Sequence, residues 1–195
     1  MTVLVVAALE EEIVHLPNGV DVLVTGVGKA RAAAGLARRL ADQVPDVVVN
    51  IGTAGAVDGV ITGLVEVNWV TQHDFPYDVI EAVVGTSIDR GFVLAPHAPP
   101  QVSAAPTPTS TALATGDMFV ANADDARRLA TAGIHLVDME AFAYASVCAA
   151  FGVALRCVKV VSDAADEDAG ASWLDTIDAC ARSLGDWVSR NITTG

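Results

Sequence analysis

Short apolar runs alternate along this chain with longer Ala-rich segments. The runs are rich in β-branched residues and lie near residues 2–8, 20–25, 46–51, 64–71, 111–115, 134–138 and 154–161. The Ala-rich segments lie near residues 28–43, 122–132, 140–151 and 172–190. Runs of the first kind are typical of buried strands, and segments of the second kind are typical of helices. The alternation predicts an α/β fold around a largely parallel sheet that is covered on both faces.

The composition narrows the class of protein. The chain has 195 residues, of which 52% are hydrophobic, so we expect one domain over residues 1–195 with a sizeable core. No apolar stretch approaches the roughly 18 residues of a membrane span, and the N-terminus lacks the basic region of a signal peptide. The three cysteines have no metal-ligand spacing, which favours a reducing cytoplasm.

Charge excludes some classes of ligand. The formal net charge is -13, whereas nucleic-acid binding needs clustered Lys and Arg, so no nucleic-acid partner is expected. The four histidines form no HxH or HExxH pattern, so we expect no metal site. Because of the negative net charge, a neutral or cationic ligand suits this chain better than a polyphosphate.

Five of the eight prolines lie in residues 96–108, which predicts a loop there.

Three apolar runs each end in a carboxylate. Residues 3–9 lead into three glutamates that end at Glu12, residues 135–139 lead into Glu140, and residues 158–161 lead into Ser162 and Asp163. Each acid alone could cap or begin a helix, where the helix dipole favours it. Ligands of open α/β sheets bind at the carboxyl ends of the strands, however, and a buried charge needs a partner. The three acids together predict one acidic pocket and an enzyme.

Two glycine turns follow predicted strands. Residues 25–31 (TGVGKAR) have the first two glycines of a dinucleotide-binding turn, but Arg31 takes the place of the third, and Asp46 precedes the next strand instead of following it. A tight strand-to-helix turn explains this segment better than a nicotinamide site does. In residues 51–56 (IGTAGA), small side chains would let a ligand approach the backbone, although close packing explains them almost as well.

The motifs resemble one known family when they are taken together. They occur in family order and cover the chain from residue 2 to about residue 190. The strings are AALEEE at 7–12, TGVGK at 25–29, GTAG at 52–55, TGDMF at 115–119, VDMEA at 137–141 and VSD at 161–163. The chain is similar to the nucleoside phosphorylase/hydrolase superfamily, and most closely to its 5'-methylthioadenosine/S-adenosylhomocysteine nucleosidases. The resemblance implies a three-layer α/β/α fold with a mixed, partly closed sheet, a homodimer, and neither metal nor organic cofactor.

The resemblance also implies catalytic roles. Glu12 would orient and deprotonate the attacking water, and Asp163 would lie against N7 of the purine with Ser162 helping to hold it. Glu140, beside Met139, would accept hydrogen bonds from the ribose hydroxyls. These roles fit the chemistry, because glycosidic cleavage develops positive charge on the sugar and negative charge on the leaving purine.

The remaining implied residues would bind the nucleoside. Phe119 would stack on the base, and the backbone of Val120 would recognise its edge. Thr53, Ala54 and Gly55 would line the sugar and the base. Trp173 stands where phenylalanine is usual, in a loop that is expected to cover the purine.

Three further positions depart from the family pattern. Asp138 replaces the usual glutamate, Lys159 replaces a common arginine, and the segment after Asp78 is shorter than usual. In the family this shorter segment helps to shape the pocket for the 5'-substituent, so the sequence does not identify that substituent.

The predicted function is hydrolysis of the N-glycosidic bond of an adenine nucleoside, which releases adenine and a ribose derivative. Asp163, in place of asparagine, favours adenine over the 6-oxopurine of futalosine hydrolases. The enzymatic alternatives are a purine nucleoside phosphorylase, which is the nearest, and a futalosine hydrolase-like enzyme. A nucleoside-binding protein without catalysis is the alternative of another class.

Overall fold

The computed structural model describes residues 1–192, which form ten strands and five α-helices. The strands are β1 (Val3–Ala7), β2 (Val22–Val24), β3 (Val47–Ala56), β4 (Leu64–Val67), β5 (Trp69–Gln72), β6 (Gly91–Ala95), β7 (Ala98–Ser103), β8 (Ala112–Thr115), β9 (Leu136–Asp138) and β10 (Ala154–Asp163). The helices are α1 (Lys29–Asp42), α2 (Tyr77–Val84), α3 (Ala123–Thr131), α4 (Ala141–Phe151) and α5 (Ala169–Asn191). A single turn of 3₁₀ helix, Glu10–Glu12, follows β1.

All ten strands join one mixed sheet, in the order β2-β1-β3-β9-β8-β5-β6-β7, with β10 paired to both β3 and β4. The long strand β3 is its centre. Its first half pairs in parallel with β1, its last two residues pair antiparallel with β9, and its other edge pairs in parallel with β10 along nearly its whole length. Because β1, β3 and β10 run in the same direction, their carboxyl ends meet at one edge of the sheet.

Helices cover both faces of this sheet. Successive side chains of a strand point to opposite faces. On β1, Leu4 and Val6 pack with α1 and α4 in one apolar cluster, whereas Val5 and Ala7 pack with α5 in another. The three-layer α/β/α fold with a mixed, partly closed sheet is confirmed.

The proline-rich stretch corrects the sequence prediction. Residues 96–108 were expected to be a loop, but β7 occupies Ala98–Ser103 and pairs antiparallel with β6. β7 is the last strand of the sheet, and an edge strand tolerates proline because one side of it needs no ladder hydrogen bonds.

The structure also contains elements that the sequence analysis did not predict, namely β6 and α2. The run at 64–71 forms two strands, β4 and β5, separated by Asn68. Within residues 1–192, no helix is long and apolar enough to cross a membrane.

Candidate active site

A cavity of about 270 Å³ opens where the carboxyl ends of β1, β3 and β10 meet the end of β9. All eleven residues that the sequence predicted for the site line this cavity: Glu12, Thr53, Ala54, Gly55, Phe119, Val120, Met139, Glu140, Ser162, Asp163 and Trp173. Their roles in catalysis and binding remain predictions, but the structure brings the residues together.

Glu12 is the one glutamate of the 3₁₀ turn that enters the site, while Glu10 and Glu11 are exposed. Its carboxylate accepts four hydrogen bonds. The backbone N–H groups of Ala8 and Leu9 donate to Oε2 at 3.1 and 3.2 Å. The backbone N–H and the hydroxyl of Thr53 donate to Oε1 at 2.8 and 3.2 Å. These donors hold a buried carboxylate in one orientation at the mouth of β1.

The small residues of β3 have a clear steric purpose. A Cβ added to Gly52 would lie 2.8 Å from Oε1 of Glu12, and one added to Gly55 would lie 2.7 Å from Oδ1 of Asp163. Any larger residue at either position would displace a carboxylate. The sequence suggested close approach of a ligand to this segment. The structure shows that the two glycines first make room for the two acids.

Asp163 lies at the end of β10, where a register shift interrupts its pairing with β3. Such a bulge redirects a side chain. The Ser162 hydroxyl donates to Oδ2 of Asp163 at 2.8 Å, and the N–H of Ala165 donates to Oδ1 at 2.9 Å. Ala165 has a φ of 52°, in the left-handed region that L-residues rarely adopt, so the turn that positions Asp163 is strained.

Glu140 is the N-cap residue directly before α4, and it is buried beside the cavity. Its Oε1 accepts a hydrogen bond from the backbone N–H of Gly28 at 2.8 Å. Burial, together with the nearby Asp138 carboxylate, raises the pKa of Glu140 to about 7, although Lys159 and the Gly28 N–H oppose the shift. Glu140 therefore changes charge near neutral pH.

A buried ion pair near Glu140 was not predicted from the sequence. Nζ of Lys159 lies 2.9 Å from Oδ2 of Asp138, and each side chain is only 2% exposed. Asp138 also accepts hydrogen bonds from the Thr115 hydroxyl and the Ala141 N–H, which anchor the start of α4. Burial by itself would lower the pKa of Lys159, but the Asp138 carboxylate, together with Cys157, Glu140 and Glu12, more than offsets burial, and the pKa lies above its ordinary value. The signal in the sequence was a lysine within an apolar strand.

The turn between β2 and α1 binds carboxylates of the protein itself. The Gly28 N–H donates to Glu140, and the Lys29 N–H donates to Asp117 at 2.8 Å. Nζ of Lys29 donates to Asp74 at 2.6 Å. Burial alone would raise the pKa of Asp74, but Lys29 and the Asp117 N–H lower it. The Gly28 N–H, the Lys29 N–H and the Lys29 ammonium are therefore already bound to carboxylates of the protein.

Aromatic side chains lie at the rim of the cavity. Phe119 follows β8 and is half exposed, whereas Val120 is buried. Trp173 lies inside α5 rather than in a loop, which corrects the prediction for its segment. Its indole Nε1 donates to the Thr53 hydroxyl at 3.0 Å.

Comparison with known proteins places the chain in a family. The sequence model of the Phosphorylase superfamily matches residues 13–190. The chain belongs to the phosphorylase superfamily. A curated relative from Exiguobacterium sp., a 5'-methylthioadenosine/S-adenosylhomocysteine nucleosidase, is 30% identical over 176 residues, which cover 79% of this chain and 71% of the relative. The resemblance predicted from the motifs is confirmed.

Solved structures of phosphorylase-superfamily proteins share the fold. A mutant of the Helicobacter pylori nucleosidase with 5'-methylthioadenosine in its active site has a TM-score of 0.80 at 18% identity, covering 97% of this chain and 96% of that one. A mutant of the futalosine hydrolase of Helicobacter pylori has a TM-score of 0.76 at 20% identity and covers 96% of each chain. At these identities the likeness supports the fold.

Proposed function

We propose that this chain is a nucleosidase that hydrolyses the N-glycosidic bond of an adenine nucleoside and releases adenine and a ribose derivative. The relationship to a curated nucleosidase supports this activity. One observation of the structure carries it. Four carboxylates (Glu12, Asp138, Glu140 and Asp163) line the cavity, and among its lining residues in the described part of the chain there is no Lys, Arg or His. An acidic cavity suits a cationic transition state.

The two catalytic acids contact β3 two residues apart. Glu12 binds Thr53, and Asp163 lies against Gly55, so their contact points are separated by about 7 Å along the strand. In the proposed reaction Glu12 takes a proton from a water molecule while the oxygen of that water attacks C1' of the ribose. The bond from C1' to N9 breaks, and Asp163 donates a proton to N7 of the departing adenine.

The other residues would hold the nucleoside. Glu140 would accept hydrogen bonds from the ribose hydroxyls beside Met139, and Phe119 would stack on the base next to the Val120 backbone. The segment Thr53, Ala54 and Gly55 would line the sugar and base, Ser162 would hold Asp163, and Trp173 would close the cavity from α5.

Phosphorolysis is the less favoured reaction. A phosphorylase stabilises phosphate with cations, but Lys159 is bound to Asp138 and Lys29 is bound to Asp74. The Gly28 and Lys29 N–H groups are bound to Glu140 and Asp117. An added phosphate would meet carboxylates in the cavity without a free cation among its lining residues.

The decisive experiment measures adenine release from methylthioadenosine, S-adenosylhomocysteine, 5'-deoxyadenosine and adenosine, with and without phosphate. Release that is independent of phosphate is expected, and the relative rates identify the 5'-substituent. Strict dependence on phosphate would establish a phosphorylase. Release of hypoxanthine from futalosine, without adenine release from any of the four substrates, would establish a futalosine hydrolase. Binding of these nucleosides without cleavage would establish a non-catalytic protein.

Two variants test the proposed roles. Glu12→Gln and Asp163→Asn should each lower kcat by roughly 10²–10⁴, because each removes an acid–base group. Glu11→Gln is the matched control, since Glu11 is exposed on the same 3₁₀ turn and should keep wild-type activity. Unchanged kcat in either active-site variant, under saturating substrate, would contradict the assignment.

We also propose that the chain acts as a homodimer in the cytoplasm. Buried free thiols at Cys148, Cys157 and Cys180 suit a reducing compartment. The exposed valines of α2, Val79, Val83 and Val84, support the dimer.

A further inference from the structure

A hydrogen-bonded chain connects α5 to the proposed catalytic base. Nε1 of Trp173 donates to Oγ1 of Thr53 at 3.0 Å, and this hydroxyl donates to Oε1 of Glu12 at 3.2 Å. The connection crosses three separate elements, namely α5, β3 and the 3₁₀ turn. A phenylalanine, the residue that the family pattern leads one to expect here, has no N–H and could not make it.

The direction of the chain follows from the donors available. An indole N–H can only donate, whereas a hydroxyl has one hydrogen and two acceptor lone pairs. Because Trp173 occupies one lone pair of Thr53, the hydroxyl hydrogen is left for Glu12. A carboxylate can only accept, so the two hydrogen bonds are polarised in the same direction.

Hydrogen bonds and burial attach the start of α5, which carries Trp173, to the rest of the protein. The Thr176 hydroxyl lies 3.1 Å from the carbonyl of Ser162 and 2.7 Å from that of Ser172, so it links α5 to the end of β10. Ala169, the first residue of α5, is completely buried. Trp173 is therefore placed against Thr53 by the packing of the helix.

Glu12 has little spare capacity for a water molecule. Its two oxygens already accept four hydrogen bonds, and the longest pair, from the Thr53 hydroxyl and the Leu9 N–H, are each 3.2 Å. A water that binds Glu12 must compete with one of these weaker contacts. A Thr53 hydroxyl that is held on Oε1 therefore limits the access of a water to that oxygen.

We propose that Trp173 is a positioning residue that acts through the Thr53 hydroxyl on Glu12, and this role rests on the proposed function of Glu12 as the base. Trp173 sets the orientation of the hydroxyl, the hydroxyl restrains one oxygen of the carboxylate, and the attacking water is directed accordingly. The indole contributes a hydrogen bond to the catalytic machinery as well as a wall of the cavity.

A double-mutant cycle in kcat tests the proposal. Trp173→Phe keeps an aromatic ring and removes the N–H, and Thr53→Val keeps the shape and the backbone N–H but removes the hydroxyl. Each should lower kcat, Trp173→Phe by about fivefold, which corresponds to one neutral hydrogen bond. In the Thr53→Val background, Trp173→Phe should have almost no further effect. Thr53→Ser, which restores a hydroxyl, should recover most of the activity.

A spectroscopic measurement tests the same contact without any turnover. In protein with ¹⁵N-labelled tryptophan, the indole N–H signal of Trp173 is identified by its loss in Trp173→Phe. It should shift in Thr53→Val and in Glu12→Gln, while the signals of Trp69 and Trp187 stay in place. Trp187→Phe is the matched control for a tryptophan-to-phenylalanine change elsewhere and should leave kcat unaltered.

The outcomes distinguish a failure of the positioning role of Trp173 from a failure of the proposed nucleosidase function. Independent, multiplicative effects of Trp173→Phe and Thr53→Val on kcat, or an indole signal that ignores both Thr53→Val and Glu12→Gln, would overturn the proposal. If the wild-type protein cleaves no nucleoside but the indole signal shifts as expected, the contact exists and the proposed function fails. That outcome would overturn the positioning role in catalysis as well.

Discussion

The acidic residues of the cavity differ in what surrounds them. Glu12 is buried, and its carboxylate accepts four hydrogen bonds from the protein. Within residues 1–192, the Glu140 carboxylate accepts a hydrogen bond only from the Gly28 N–H, and burial together with the nearby Asp138 raises its pKa to about 7. A ribose would supply the hydroxyl donors that Glu140 lacks in the free protein. Residues of one chemical type can thus serve different roles because their environments differ.

The raised pKa of Glu140 predicts how stability depends on pH. Because the folded pKa exceeds the ordinary value of 4.5, the contribution of Glu140 is fully present below about pH 4.5 and is lost as the pH rises through about 7. The loss amounts to roughly 3 kcal/mol of unfolding free energy. His73, whose pKa is lowered by burial, contributes with the opposite sign in this window, so a comparison of variants is needed.

Glu140→Gln isolates this contribution. The difference in unfolding free energy between Glu140→Gln and wild type, measured by urea denaturation from pH 4.5 to 7.5, should move in favour of the variant as the pH rises. Glu11→Gln, which makes the same change at an exposed position, is the matched control. A flat difference for Glu140→Gln would contradict the raised pKa.

At the scale of elements, one ion pair joins strands that do not pair with each other. Lys159 projects from the middle of β10, and Asp138 ends β9; both strands pair with β3. The pair connects the end of β9, and through Ala141 the start of α4, to the strand that delivers Asp163. Asp138 and Lys159 are also two of the positions where the chain departs from the family pattern. In this chain the two residues neutralise each other's buried charge.

Removing this pair should destabilise the protein strongly. Lys159→Met leaves the Asp138 carboxylate buried without its cation, which typically costs about 3–5 kcal/mol. Lys29→Met is the control, because the pair between Lys29 and Asp74 is partly exposed and its loss should cost much less. Urea denaturation at pH 7 measures both. An equal loss of unfolding free energy in the two variants would show that the buried pair stabilises the protein no more than the partly exposed one.

At the scale of the whole molecule, α2 is the element that the chain leaves uncovered. In the described structure none of its residues is buried. Its valines Val79, Val83 and Val84 are 61%, 77% and 53% exposed. An exposed apolar patch of this kind commonly marks a contact between proteins. The patch follows Asp78, after which the chain is also shorter than the family pattern, so we expect a second copy to cover it.

Sedimentation velocity tests the dimer. The wild-type chain should sediment as a dimer at micromolar concentration, and Val83→Glu should shift it toward monomer, because the new charge would lose its hydration in the interface. Val60→Glu is the matched control, since Val60 is equally exposed but lies outside α2. A wild-type monomer at every concentration, or equal disruption by both substitutions, would exclude α2 as the interface.

The sequence determined the parts that depend on local pattern. Apolar runs specified most strands of the sheet, Ala-rich segments specified α1, α3, α4 and most of α5, and the acids after three of these runs specified where the cavity lies. These features are readable because a strand end in a covered sheet tolerates a carboxylate only when something satisfies it.

Only the tertiary structure decided the contacts between distant segments. The edge position of β7 makes its prolines acceptable, and Asp138 makes Lys159 acceptable in a buried strand. Thr53 links the indole of Trp173 to Glu12. No local pattern in the sequence encodes these pairings, because the partners lie far apart along the chain. They meet because helices and strands pack in three dimensions, and the fine geometry of the site belongs to that packing.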